Sequence, residues 1–195
     1  MEVFHQLQLL FRITRSQNIA RRYFIVNGFD GALTILGMLT GFYFSGEATT
    51  DVMVSACLGA VIALGMSGIS SAYVSEVAER QKELKELEIA MMKDLADAAH
   101  GRAARFVPVV IALINGLAPL LIALIIISPL WFSLTLQALP IEPLPLSMSF
   151  AFVILFLLGT LLGRVSGTFW LFSGLRTLII GLLTCFIIFL LSPHG

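Results

Sequence analysis

Five long apolar segments alternate with short polar stretches along the chain. A helix needs about 20 mainly apolar residues to cross the hydrocarbon layer of a membrane, and each segment is close to that length or longer. The pattern predicts an all-α integral membrane protein with five transmembrane helices in a single domain, residues 1–195. The segments, numbered here as spans 1 to 5, cover roughly residues 23–44, 52–76, 106–130, 146–164 and 169–192.

Two helical stretches are predicted outside the spans. Residues 1–20 carry apolar positions that share one face at a period of 3.6, which is typical of a helix lying on the membrane surface. Residues 77–105 are charged, free of proline and rich in helix formers. We expect this segment to continue span 2 into the cytoplasm as a short helical extension that turns back near Gly101.

The basic residues predict the orientation. All 12 Lys and Arg side chains lie before span 1, between spans 2 and 3, or around the link between spans 4 and 5. Loops rich in Lys and Arg stay in the cytoplasm, so we expect a cytoplasmic amino terminus and an outside carboxyl terminus. No organelle address is visible, and the plasma membrane is the default location.

Composition agrees with a protein whose partner is the lipid bilayer. The chain is 58% hydrophobic and 12% charged, whereas soluble domains carry about 25% charged residues. Zero net charge argues against a nucleic-acid partner. Cys57 and Cys185 form no CxxC pair and suit packing. The absence of a GxSxG motif, a Walker loop and a His/Cys cluster predicts a protein that is not an enzyme and binds no cofactor.

One carboxylate interrupts span 1. Asp30, in the stretch "NGFDGALTILG", is the only formally charged residue of that span. An ionised carboxylate at membrane depth is rare, and it usually faces a cavity or a partner. The structural alternative is that Asp30 accepts hydrogen bonds from Asn27 or Thr34, at positions i−3 and i+4, and only stabilises helix packing.

Glu76 is expected at a similar depth. Asp30 lies eight residues beyond Arg22, about 12 Å along a helix, and Glu76 lies four residues before Arg80, about 6 Å. Two carboxylates at comparable depth suit a divalent cation that has lost water. They suit a proton relay equally well.

Glu76 also begins an acidic stripe on one helix face. Glu79, Glu83 and Glu86 follow at spacings of three, four and three residues, which places the four on one side of a helix. The stripe can gather cations for Asp30. Alternatively, it is a solvated face on which Arg80 pairs with Glu83 and other exposed pairs add little stability.

The remaining candidates serve packing or soft metal ligation. Glycines make span 1 thin, and two of them form a GxxxG motif for close helix contact within the chain or across a dimer. Met38 and Met66 are thioether ligand candidates or apolar filler. Pro119 removes a helical hydrogen bond to the carbonyl of Asn115 and predicts a kink. The span 1 glycines are Gly28, Gly31, Gly37 and Gly41.

Several motifs resemble the vacuolar iron transporter (VIT) family of iron and manganese transporters. "NGFDGALTILGMLTG" looks like that family's span 1 motif, and "YVSEVAERQKE" (73–83) resembles the end of its span 2. "INGLAPLL" (114–121) and "LRTLIIGLLTCFIIFLL" (175–191) are similar to its third and last helices. The likeness covers most of the chain from about residue 20, in the same order of spans.

The resemblance implies a homodimer that exchanges a divalent metal for protons along a path lined by spans 1 and 2. Asp30 matches the family's span 1 aspartate. Span 2 departs from the pattern, because Ser71 and Ala72 stand where the family has Gly-Glu, and Gly68 stands at its methionine.

The expected function is transport of Fe2+ or Mn2+ out of the cytoplasm by proton antiport. Two alternatives stay open: a membrane assembly or sensor protein that transports nothing, and a transporter of this fold with another substrate. In the expected function, the metal ion is the transported substrate and not a cofactor.

Overall fold

Five long helices make up almost all of the computed structural model, which describes residues 16–46, 48–94, 99–135 and 142–192. All five are long and apolar enough to cross a membrane, as expected for an all-α membrane protein, and none of the described residues lies in a strand. Which end faces the cytoplasm stays a prediction. The helices are α1 (Ser16–Ser45), α2 (Thr50–Met91), α3 (Ala99–Thr135), α4 (Pro143–Ser166) and α5 (Trp170–Leu191).

The predicted extension between spans 2 and 3 is helical on both sides of its turn. α2 ends at Met91, and Met92 adopts the left-handed conformation with φ 50° and ψ 37°. α3 begins at Ala99, so the turn precedes Gly101, which already lies inside α3. The expectation of a turn near Gly101 was therefore a few residues late. The surface helix predicted for residues 1–20 lies mostly outside the described residues, since these begin at residue 16.

The apolar core lies between α1, α3 and α4, with a contribution from the first turns of α2. One face of α1 is fully buried over two turns, and it packs against α3 and α4. α5 lies on the outside of this unit, where it contacts mainly α4. Burying these side chains inside the bundle leaves the outer faces for lipid. The core members from α1 are Ala32, Ile35, Leu36 and Leu39, and those facing them include Ile122, Ile126, Leu155 and Leu158.

Small residues bring helices into direct backbone contact. At Gly31, an added Cβ would lie 2.7 Å from Pro119 Cα, so α1 and α3 touch without an intervening side chain. At Gly65, an added Cβ would lie 2.9 Å from the carbonyl oxygen of Gly116, which joins α2 to α3 in the same way. α2 therefore packs closely on α3 and contacts α1 little.

Candidate functional site

A polar cleft of about 690 Å³ opens between α1, α2 and α3. It exists because α1 and α2 both pack on α3 but stand apart from each other along most of their length. Its polar wall combines one carboxylate, two amides and three hydroxyls, all at the level of membrane-spanning helix. These side chains belong to Asn27, Asp30, Thr34, Ser67, Ser71 and Asn115.

The helical repeat explains why these side chains meet. Asn27, Asp30 and Thr34 are spaced by three and four residues and form one stripe of α1. Gly31 lies at the edge of this stripe, where it packs against Pro119 of α3. Ser67 and Ser71 form the matching stripe of α2 at a spacing of four.

Asp30 has no partner of its own. It is exposed in the cleft and makes no hydrogen bond or ion pair with any residue that the structure describes. Asn27, the neighbour expected to hold it, donates instead to the Tyr23 carbonyl at 2.9 Å and to Asn115 Oδ1. Thr34 lines the cleft without bonding to Asp30. The structural alternative for Asp30, a local hydrogen bond, is therefore absent from the described part of the chain.

Asn115 ties the three helices together beside Asp30. It is buried, accepts a hydrogen bond from Asn27, and donates through Nδ2 to the Gly68 carbonyl at 2.7 Å. Its own carbonyl oxygen, which Pro119 leaves without a helical donor, lies 3.3 Å from the position of a Cβ at Gly68. α3 continues as a helix through this point. The kink at Pro119 stays a prediction, and Asn115 contributes its amide to the cleft wall.

Glu76 lies in a separate ionic cluster. Its carboxylate accepts a hydrogen bond from Tyr23 Oη at 3.4 Å and pairs with Arg80 Nη2 at 3.5 Å. Arg80 also donates through Nη1 to Glu83 at 2.6 Å. Both Glu76 and Arg80 are buried, at 7% and 6% exposure. This set of four residues, here called the Arg80 cluster, links α1 to α2.

Asp30 and Glu76 are two turns apart in depth. Tyr23, which holds Glu76, precedes Asp30 by seven residues, about 10 Å along α1. When two oxygens bind the same cation, each at about 2.3–2.6 Å, the two oxygens lie within about 5 Å of one another. Glu76 is not among the residues that line the cleft. One ion is therefore not shared between the two carboxylates of a single chain.

The other predicted ligands do not line the cleft. Glu83 faces Arg80, and Glu79 is exposed without a bonding partner among the described residues. Met38 packs against the apolar core, and Met66 is 59% exposed on the outer side of α2. In the described ranges, no group of three or more His, Cys, Asp or Glu side chains is placed to hold a metal ion.

The predicted packing glycines of α1 have different surroundings. Gly28 and Gly31 lie against α3 and α4. A Cβ at Gly37 would lie 3.5 Å from Ile188 Cδ1 on α5, and one at Gly41 would meet nothing within 4 Å. Contact across a dimer through this GxxxG pair stays a prediction.

Sequence reasoning missed part of this arrangement. Ser67 and Ser71 were visible only as small residues, and their spacing of four was the signal that they share a face with the cleft. Tyr23 gave no signal, because its bond to Glu76 joins residues 53 positions apart. Arg80 was expected at the surface and is instead a buried cation.

Comparisons with known proteins leave the family of the chain open. It is 27% identical over 158 residues to the uncharacterized protein MJ0645 of Methanocaldococcus jannaschii, covering 80% of this chain and 79% of that relative. No protein-family model matches the chain. No solved structure matches it either.

Proposed function

We propose that the protein transports a divalent cation, Fe2+ or Mn2+, out of the cytoplasm through the cleft between α1 and α2, in exchange for protons. The observation that carries this proposal is the unpaired carboxylate of Asp30 in a polar cleft midway along a membrane helix. An uncompensated charge in such a place is costly and is typical of an ion path. The resemblance to the vacuolar iron transporter family supports the same function.

The donor set suits a hard or borderline cation. Carboxylate, amide and hydroxyl oxygens are the ligands that Mn2+ shares with Mg2+ and Ca2+. The two thioether candidates, Met38 and Met66, do not line the cleft. We therefore expect Mn2+ to be carried at least as well as Fe2+.

A homodimer would complete the site. One carboxylate per chain neutralises half of a divalent charge, and the cleft is open on the side where α1 and α2 stand apart. α2 exposes a stripe of small residues that runs from the wall of the cleft toward the start of the helix, at the i, i+4 spacing that allows close helix contact in membranes; its members are Gly59, Ala63 and Ser67. A second copy packed there would shield both Asp30 side chains from lipid and bring them to one path.

The dimer has its own test. Gly59→Leu should shift the protein toward monomer in detergent, measured by light scattering. A Cβ at Gly59 meets no described atom within 4 Å, so we expect the added side chain to act mainly on a neighbouring copy. The control is Val52→Leu, at an exposed position in the first turn of α2. Gly46→Leu is unsuitable as a control, because Gly46 has a positive φ that a leucine rarely adopts. An unchanged dimer in Gly59→Leu would place the interface elsewhere, and GxxxG at Gly37 and Gly41 would be tested next.

A second candidate cargo follows from the charge of the cleft. Among the described residues, Asp30 is the one carboxylate that lines it, and a single carboxylate with hydroxyl and amide neighbours also suits a proton or a monovalent cation. A sensor or assembly protein is supported less, because the close helix contacts at Gly31 and Gly65 involve no charge.

Flux into proteoliposomes decides between these functions. We would measure uptake of Mn2+, Fe2+, Na+ and K+ with and without an imposed pH gradient. The expected result is uptake of the divalent ions that rises when protons flow the opposite way. Divalent uptake no faster than in empty vesicles would refute metal transport, and Na+ or K+ flux alone would favour the second candidate.

A further inference from the structure

A second cavity lies on the opposite side of α1 from the polar cleft. It measures about 260 Å³ and is formed by α1, α4 and α5. Most of its wall is apolar and belongs to the membrane-spanning parts of the three helices. These apolar residues include Ile25, Val26, Phe29, Leu158, Leu162 and Ile180.

One end of this cavity is polar. Ser166, Thr168 and Ser173 form a chain of hydroxyls, with oxygens 3.1 Å and 3.0 Å apart. Arg176 completes this end, where it is exposed and has no carboxylate partner in the described ranges. A cation and three hydroxyls thus stand at the mouth of an apolar groove.

The charged residues that α4, α5 and the start of α1 bring near this mouth are basic. The sequence contains no Asp or Glu after Glu142, whereas Arg164 and Arg176 both lie near the link between α4 and α5. Arg22 lies one turn before the groove residue Val26 on α1 and is exposed. Arg176 differs in this respect from Arg80, which pairs with two carboxylates.

We propose that this groove binds one anionic phospholipid, with its phosphate at Arg176 and the hydroxyls of Ser166, Thr168 and Ser173 and with an acyl chain between α1, α4 and α5. Basic pockets between membrane helices on the cytoplasmic side are typical sites for anionic headgroups. The apolar wall would bury the acyl chain, and Arg176 would pair with the phosphate. The proposal does not depend on what the protein transports.

Native mass spectrometry of the detergent-purified protein tests this site. The probe is an equal mixture of phosphatidylglycerol and phosphatidylcholine. We expect one phosphatidylglycerol to be retained in preference to phosphatidylcholine. Arg176→Gln should weaken its binding about fivefold, from the contribution of one basic residue near a membrane surface. The matched control is Arg102→Gln, which removes an exposed cation from the start of α3 and should leave binding unchanged.

A second variant tests the groove itself. Val26→Trp fills the cavity from an exposed position on α1 and keeps every arginine, so it should also reduce retention. Equal binding of the two lipids by the parent protein would overturn the proposal, as would an equal loss in Arg176→Gln and Arg102→Gln. Displacement of the lipid by millimolar inorganic phosphate would show an anion site without a chain-binding groove, and would overturn it too.

Discussion

Asp30 and Glu76 are both carboxylates in apolar helices, yet their surroundings are opposite. Glu76 is buried beside a buried cation and a phenol, so its charge is compensated within the chain. Asp30 is exposed in a polar cleft, and no described residue compensates it. A compensated carboxylate stabilises a structure, whereas an uncompensated one at membrane depth is available to a mobile ion.

The pairing of Glu76 with Arg80 also affects the predicted capture of cations by the acidic stripe. Cation capture by Glu76, Glu79 and Glu83 together assumed three free carboxylates. Arg80 pairs with Glu76 and Glu83, which leaves Glu79 as the member of the three without a partner among the described residues. Because two carboxylates share one guanidinium, the Arg80 cluster keeps an excess of one negative charge, and a cation entering from that end meets this charge and Glu79 before it reaches Asp30.

The largest expected effect is on transport in Asp30→Asn. The amide keeps the shape of the side chain and removes its charge, so we expect metal flux to fall to the level of empty vesicles. The free energy of unfolding should change by less than about 0.5 kcal/mol, as for a substitution that breaks no contact. Asp51→Asn, at an exposed carboxylate in the first turn of α2, is the control and should transport normally. Normal flux in Asp30→Asn would make Asp30 a structural residue.

Loss of Arg80 should affect stability most. Arg80→Gln leaves the buried carboxylate of Glu76 without its cation. Breaking a fully buried pair costs about 3–5 kcal/mol. We expect about 2 kcal/mol, because Glu83, the second partner, is half exposed and its interaction is screened by water. Unfolding in mixed detergent micelles measures the loss.

The control for Arg80 is an exposed pair on the same helix. Lys82 lies 3.9 Å from Glu86, with both side chains mostly exposed. Lys82→Gln should change stability by less than about 0.5 kcal/mol. If the two variants were equally stable, the Arg80 cluster would be a surface feature, and the contrast with Asp30 would lose its basis.

Gly31 tests how α1 is held with Asp30 facing the cleft. In Gly31→Ala, the new Cβ would lie 2.7 Å from Pro119 Cα, and neither backbone can yield easily. We expect a loss of about 1–3 kcal/mol, which is usual for overpacking. Gly41→Ala adds the same methyl where nothing lies within 4 Å. A Gly31→Ala protein as stable as Gly41→Ala would show that α1 is free to shift on α3.

The smallest expected effect concerns Glu79. Glu79→Gln should raise the KM for metal about twofold at low salt and leave kcat unchanged, because an exposed carboxylate attracts ions but is screened. Raising ionic strength should remove the difference. Glu83→Gln is the comparison, since Glu83 already pairs with Arg80, and it should change KM less. A fall in kcat for Glu79→Gln would make this residue part of the transport site.

The five helices could be predicted from the sequence because membrane insertion depends on local hydrophobicity. Spans of about 20 apolar residues are visible without knowledge of any contact, and Asp30 stands out for the same reason. The continuation of α2 beyond span 2, to Met91, was predicted as well, from the charged and proline-free helix formers that follow the span. Hydropathy reports where the lipid ends rather than where the helix ends.

The partners of the charged residues were decided by tertiary structure alone. A helix repeat shows that Asn27, Asp30 and Thr34 share a face, but the faces of α1 and α2 are set by Gly31 and Gly65, which let both helices pack on α3. That packing opens the cleft at Asp30 and brings Tyr23 to Glu76 across 53 residues of sequence. Local sequence determines which residues can be charged in a membrane, whereas the close contacts of distant helices determine which of those charges are compensated.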